Sequence, residues 1–581
     1  MKAPRKLWHI LKKQRYLLLF LLFTSILFSG MWAWEQSVVR DTCESSNGGI
    51  LSDAEPTATG SSDGGLAPAE TAATESMEWA DTAAYIEISS ENKIYALARI
   101  LASGKTKDAF FGAAYFPEAD LEQFAFPDEI TDTSAKIEYL AAAAYQLTCD
   151  ISLNLQQPDN TSFFTGIGSE EFPFKGIFNG NGKTITLHTT GNLSLNADTD
   201  HAVGLFGTAE GAKFINTNVV VADDLLVNKS TANTYIGSLV GLARDCHIVN
   251  CTATISNAKI GVDYANGEED SCTSRVGGLV GECQYTLIQD CNVRLENGTV
   301  YAKGYTVKSK EIYAHCSVGG ILGFSQAGSD NLTNIGQTGN ELRNCHVFSD
   351  NTRQQDVIFV SVETGEEVTA GGLVGCSFNN FSATNCSVSI SNGNIVAEKT
   401  GTTDTGTYGA QAGGIIGRLE HTGELCSCNV VGNSLTILAR SAENYSTAGG
   451  IAGTDVGPYH KDIVSISNCS FAGNETSRII LDISADDTVN KWNALGGIVG
   501  YGAYQVVSCN VTDVALVNES VDVEKCFVGG IGGIFGKHSG FWQREEFFTP
   551  KEAGIRDSVP SNVSFNISRN VRADGICALY Q

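Results

Sequence analysis

Seven cysteines stand at one fixed place in a recurring local pattern. They are Cys251 in "IVNCTATI", Cys291 in "IQDCNVRL", Cys345 in "LRNCHVFS", Cys386 in "ATNCSVSI", Cys428 in "LCSCNVVG", Cys469 in "ISNCSFAG" and Cys509 in "VVSCNVTD". A thiol can pair with another thiol, ligate a metal or attack an electrophile, and each use needs its own spacing. Zinc asks for four convergent ligands. The nearest approaches are Cys426-x-Cys428 with His421, and Cys246-His247 ahead of Cys251, and neither completes a zinc-finger set. Stacked copies of one position hold their Cβ vectors parallel, which suits a disulfide poorly. The bland use fits better: a buried free cysteine packs as a small apolar side chain. Off this series, Cys272, Cys283, Cys316, Cys376 and Cys526 lie near glycine-rich units, where some pairing in an oxidising compartment is open. The total of 17 leaves at least one thiol single.

Carboxylates are the next source of chemistry. Glycosidases need two acids across a cleft, and calcium-dependent lyases need clustered acids beside a base. Asp223-Asp224, "DYANGEED" (263–270) and "ADDTVNK" (485–491) are the candidates, and all fall in excursions where acids ordinarily solvate loops. The spacing in "DYANGEED" does not match a calcium loop. His201, His247, His315, His346, His421 and His460 are scattered. The chain has no H-E-x-x-H, no G-x-S-x-G and no phosphate loop. We assign no catalytic, cofactor-binding or metal-ligating residue and no cofactor.

The elements that carry the cysteines repeat. A glycine unit precedes them as "AVGLFG", "YIGSLVG", "RVGGLVG", "SVGGILG", "TAGGLVG", "QAGGIIG", "TAGGIAG", "ALGGIVG" and "IGGIFG". These units end at Gly207, Gly241, Gly281, Gly323, Gly375, Gly417, Gly453, Gly500 and Gly536. Fixed contact units separated by variable excursions indicate a solenoid. In "LIQDCNVRL", Ile288 and Cys291 are out of strand phase, so the chain must bend at Gln289-Asp290. The residue before each cysteine is Asn, Asp or Ser, which suits a corner and lets asparagines bond up a column. Glycines, free of Cβ, would supply a second bend through positive φ and close backbone approach. Two corners and short strands per repeat predict one coil of a parallel β-helix. Eight to nine coils give a stack of roughly 40 Å.

The flanks differ in composition. Six cations in residues 2–15 precede an uncharged apolar run from Tyr16 to Trp34, about the ~20 residues that span a bilayer. The reading is a retained signal anchor, with a cleaved signal peptide as the alternative. Residues 35–81, rich in Ser, Thr, Gly, Ala and acids, read as a flexible tether. In "SENKIYALARILASG", Ile94, Leu97, Ala98 and Leu101 fall at helical spacing, with Ser90 as cap and Gly104 as stop. This helix is expected to cover the first coil, against an ordinary surface helix. "FWQREEFFTP" (541–550) and the final "GICALYQ" are expected to plug the other end. The domain reading is 1–34 anchor, 35–81 linker, 82–190 cap and first coils, 191–540 repeats, and 541–581 C-terminal cap. A net charge of -27 argues against nucleic acid or an anionic membrane surface as partners.

The glycine unit followed by an "I-x-N-C-x-V" strand resembles the GLUG motif of bacterial surface proteins. "FPFKGIFNGNGKTITLHTT" (172–190) resembles the entry rung found ahead of such repeats, and the likeness extends over roughly residues 83–570. It implies an all-β, right-handed parallel β-helix on an adhesin-like, extracellular protein, held to the cell by its N-terminal segment or secreted. The resemblance implies no single activity. The expected function is a non-enzymatic surface scaffold that binds a glycan, a host protein or an envelope partner. The other possibility is a carbohydrate-active β-helix enzyme, a polysaccharide lyase or hydrolase.

Overall fold

The computed structural model describes residues 84–102, 118–156, 164–195, 200–229, 233–264, 273–304, 315–327, 339–363, 367–401, 409–420, 423–442, 445–454, 464–484, 493–502, 505–520, 526–535, 554–567 and 572–580. All fall within one compact unit, Met77–Gln581. The anchor at 1–34, the linker at 35–81, Gly104, Cys272, His421, His460, "ADDTVNK", the segment 541–550 and Gly536 lie outside the described residues, as does most of "DYANGEED".

Short stretches of alternating apolar residues form strands because one face can be buried while the other stays wet. Each strand pairs in parallel with its counterpart in the neighbouring repeat. Asn292–Glu296, for example, lies between Thr252–Ser256 and the start of His346–Val362. The pairings gather into four sheets of 12, 17, 10 and 10 strands. One coil runs in order through all of them, as residues 234–263 show. Thr234–Ile236 enters a pre-glycine ladder and Val240–Arg244 a post-glycine ladder. His247–Val249 joins a pre-cysteine sheet, and Thr252–Ser256 with Lys259–Asp263 a post-cysteine sheet. Stacked parallel coils of this kind make a parallel β-helix. One continuous apolar core runs through it, with Ile248, Ile288, Leu342, Leu425, Ile466 and Val506 each 0% exposed in one column.

The corners depart from the expectation of two. The residue before each ladder cysteine does adopt left-handed backbone: Asn250, Asp290, Asn344, Asn385, Ser427, Asn468 and Ser508 have φ between 52° and 56°. Two further left-handed corners appear, one at Gly211, Asp245 and Tyr285 and one at Asn257, Asn297, Asn392 and Ser434. The described glycines of the repeat unit, by contrast, do not occupy positive φ. The chain does bend at each unit, but through close backbone approach and not positive φ.

The stack is also longer than eight to nine coils, since each glycine ladder has ten strands. The extra rung comes from "RADGICALY". Arg572–Asp574 pairs with the Cys526 strand and Cys577–Tyr580 with the Gly532 strand, so these residues continue the coil. At the other end the helix Glu91–Ala102 buries Ile94, Ala96, Leu97, Ala98, Ile100 and Leu101 in the shared core. Its Tyr95 hydroxyl donates to the carbonyl of Asn154 (2.7 Å) and accepts from the Asn154 amide (3.1 Å), which satisfies backbone of the first post-cysteine strand, Ile151–Asn154. Two further helices, Glu118–Leu121 and Thr133–Ala142, were not expected from the sequence. No helix among the described residues is long and apolar enough to cross a membrane.

Candidate functional site

A left-handed corner turns the chain but leaves backbone polar groups facing the dry interior. The next residue points inward and answers them. The thiols of Cys291, Cys345, Cys386, Cys428, Cys469 and Cys509 each donate to the carbonyl two residues back and to a carbonyl of the preceding coil, at 3.1–3.6 Å. Two of them also accept from the amide of the cysteine in the preceding coil: Cys251 N to Cys291 Sγ and Cys428 N to Cys469 Sγ, both 3.4 Å. All seven ladder cysteines are free and at most 1% exposed. Burial pushes the Cys291 and Cys345 thiols well above their ordinary range, so neither is a thiolate at neutral pH.

The column extends past its cysteines in a way the sequence pattern concealed. Ser558, in the coil after Cys509, accepts from the Cys509 amide at 3.0 Å and donates to the Arg556 carbonyl at 3.0 Å. Thr217, in the coil before Cys251, donates to the Ile215 carbonyl at 2.9 Å. The signal was present as "INTNV" and "IRDSV", with a polar corner residue followed by a hydroxyl. A second column at the previous corner uses Cys246, Thr286 and Asn340 alike. The Cys246 amide donates to Thr286 Oγ1 and the Thr286 amide to Asn340 Oδ1.

The glycines make room for backbone. A Cβ on Gly281 would stand 2.5 Å from the Ile236 amide nitrogen of the coil behind. On Gly278 it would stand 2.2 Å from the Gly320 carbonyl oxygen of the coil ahead. The two strands joined by each unit therefore fold tightly against each other. Residues flanking the unit, seven positions apart, line a second and narrower interior beside the main core. Its last part is apolar, with Ala494, Phe527, Ile534 and Tyr501 packed together. Its middle part is charged, which sequence reasoning missed.

In that seam Arg275 pairs with Glu282 and lies over the Phe324 ring at 3.8 Å. Further along, Arg418 is fully buried, with Glu367 at 2.5 Å and Glu420 at 2.9 Å, and the second Glu367 oxygen meets His315 Nδ1 at 2.8 Å. Burial alone would raise the Glu367 carboxyl, but Arg418 and His315 outweigh it and hold it at about 2. Burial dominates at Glu420, which is pushed up to about 7 despite Arg418. Burial works against His315 carrying charge, yet the neighbouring Glu367 carboxylate leaves its pKa above the usual value. Around this cluster Thr369, Gln411 and Thr447 turn buried polar atoms inward that have no hydrogen-bond partner among the described residues. Arg418 lies too far from solvent to meet a substrate. The cluster ties together strands of three successive coils.

The residues weighed for chemistry from sequence do not converge. Asp223 meets His188 (2.9 Å), and Asp224 accepts from the Lys259 amide (2.7 Å), so both acids serve the stack. Cys246 and Cys251 sit at different corners and His247 is exposed between them. Among the described residues no group of three His, Cys, Asp or Glu is placed to hold a metal. Cys283, Cys316, Cys376 and Cys526 are buried and free, with no disulfide among the described residues.

No curated protein matches the chain. A structural likeness exists to a Bacteroides ovatus protein described as a candidate immunoglobulin A1 protease. It has 16% identity over 69% of this chain and 82% of that one, and its TM-score of 0.27 is too low to support an argument. The family profile of the GLUG motif matches residues 232–258, the stretch that holds one glycine unit, the Asn250 corner and Cys251. The chain thus carries the GLUG motif at residues 232–258, and the same unit and corner recur coil after coil in one register.

Proposed function

We propose that this chain is a non-enzymatic, extracellular scaffold of the adhesin-like kind, held at the cell surface by its apolar segment 16–34 or released after that segment is cut. In this reading the β-helix is right-handed, as crossover connections between parallel strands nearly always are. The helix Glu91–Ala102 closes its first coil. The observation that carries the proposal is the use made of every recurring residue. Corner asparagines, ladder cysteines and unit glycines all go to stacking one coil on the next. The residues left free to vary face outward, where a repeat protein displays its binding surface.

Two experiments test this. The purified protein is incubated with a panel of polysaccharides, and the expected result is binding without turnover. Cleavage of any glycan that is abolished by one acid-to-amide substitution would replace the scaffold with an enzyme. Sequencing the mature N-terminus alongside membrane fractionation decides between anchor and cleaved signal. The expectation is an intact Met1 in the membrane fraction.

A further inference from the structure

We propose that the outward face of the post-cysteine sheet is a binding lane for a linear, hydroxyl-rich glycan; this rests on the scaffold reading above and names its ligand. Two columns of side chains point away from the core along this face. One runs in register from Asn218 through Asn292, His346 and Asn429 to Asn510, and the other from Val220 through Arg294, Phe348 and Val431 to Thr512. Every residue in both columns is half-buried or exposed.

The charge pattern is the first observation. The chain has 65 acids against 38 bases, yet neither column contains an Asp or Glu from end to end. Acids return on both sides, with Asp290 at the corner and Glu296 and Asp350 beyond the lane. Within it the charged side chain is Arg294. A strip kept clear of carboxylates on so acidic a protein suits a ligand that is neutral or itself acidic.

The residue types are the second observation. Amides, hydroxyls and an imidazole recur at each level, and these groups both donate and accept, as sugar hydroxyls require. Some are held in place, with His346 Nδ1 at 2.8 Å from Ser387 Oγ and Ser470 Oγ donating to Asn429 Oδ1 at 2.7 Å. Among them Phe348 is 36% and Val431 51% exposed. The Phe348 ring is steadied by Arg294 at 5.6 Å and His346 at 5.9 Å. An exposed, braced aromatic among hydrogen-bonding side chains matches the apolar C–H face and polar rim of a pyranose. A chain laid along the coil axis meets one pair of side chains every ~4.8 Å, comparable to the length of one sugar in an extended polymer.

The test is affinity electrophoresis of the full chain, purified in detergent, in native gels with xylan or mixed-linkage glucan as neutral probes and polygalacturonate as the acidic one. At least one probe retards the wild type. Phe348→Ala weakens that retardation about tenfold or more. Ser389→Glu, which sets a carboxylate in mid-lane at an outward position, weakens it too and most strongly for polygalacturonate. Thr436→Glu, outside the lane on the same sheet, leaves it unchanged. Ser389→Glu keeps the test decisive if Phe348→Ala loses its fold. Absence of retardation by every probe, or equal retardation of wild type and both lane variants, overturns the lane. Capture of an envelope protein with no glycan bound would sink the lane and leave the scaffold. Depolymerisation of a probe would sink the scaffold, while the lane variants would still report on binding.

Discussion

A thiol in the column does the work a hydroxyl does at its two ends. It fills a small inward space, donates to two carbonyls and accepts from an amide. Size and hydrogen bonding, not redox chemistry, therefore set what each position accepts. Cys386→Ser is expected to fold with little loss, because Ser558 and Thr217 already occupy equivalent places. Cys386→Ala leaves two carbonyls unanswered and costs on the order of 1–3 kcal/mol. Cys386→Asp buries an uncompensated charge and prevents folding. Thermal melts by circular dichroism rank the three, and equal tolerance would place the thiol in solvent. The seam gives a pH signature of definite sign. Glu420 binds its proton more tightly in the folded protein (about 7) than at its ordinary 4.5, so its contribution is fullest below 4.5 and is lost as pH rises to about 7. Glu367 has the opposite sign: its contribution is present above 4.5 and lost as pH falls towards 2. Melting temperature should fall between pH 5 and 7 in the wild type and stay flatter in Glu420→Gln, whose amide faces the same Arg418, Glu367 and His315. Arg418→Met leaves Glu367 with His315 alone in the dry seam, at a cost of up to about 3–5 kcal/mol, and adding Glu367→Gln recovers part of it.

At the level of corners and strands, two kinds of glycine should respond differently to substitution. Gly281→Ala drives a Cβ into backbone of the neighbouring coil and should abolish the fold, since no side-chain movement relieves it. Gly211 has φ 65° and open space around a Cβ, and it shares its corner with Asp245 and Tyr285. Gly211→Asn is therefore expected to shift the melt by only a few degrees, because Asn tolerates left-handed backbone. The corner before each cysteine was legible in the sequence because a period-2 strand cannot place Ile288 and Cys291 on one face without a bend. The third corner carries the same mark, since Ile255 and Ile260, like Leu295 and Val300, are out of strand phase across Asn257 and Asn297, but short asparagine-containing breaks look like ordinary loops. The charged seam was hidden for another reason. Arg275 and Glu282 are only seven residues apart, but Glu367 and Arg418 belong to other repeats, and all four lie in strands whose outer face would ordinarily be wet. Only the tight fold of each glycine unit turns that face into an interior.

For the molecule as a stack, each coil touches mainly its two neighbours, so stability is close to a sum of coil and interface terms. Deleting residues 387–428, which joins Cys386 to Asn429, removes one whole coil and keeps every column in register. The shortened protein should fold, with a lower melting temperature. A deletion of half that length should leave no cooperative transition, because core and solvent faces would exchange places. The thiol column also bears on how such a chain reaches its final state. With 17 cysteines in the sequence, an unfolded copy in an oxidising compartment has many ways to cross-link wrongly. Once stacked, seven of those sulfurs are buried and sealed from oxidant. Oxidative damage is thus a contest of rates, decided before the coils close. Under the export proposed above, new chains should be most vulnerable in the interval when wetted sulfurs can still find each other, and a mutation that slows zippering would be seen first as covalent aggregates on non-reducing gels rather than as a lower melting point.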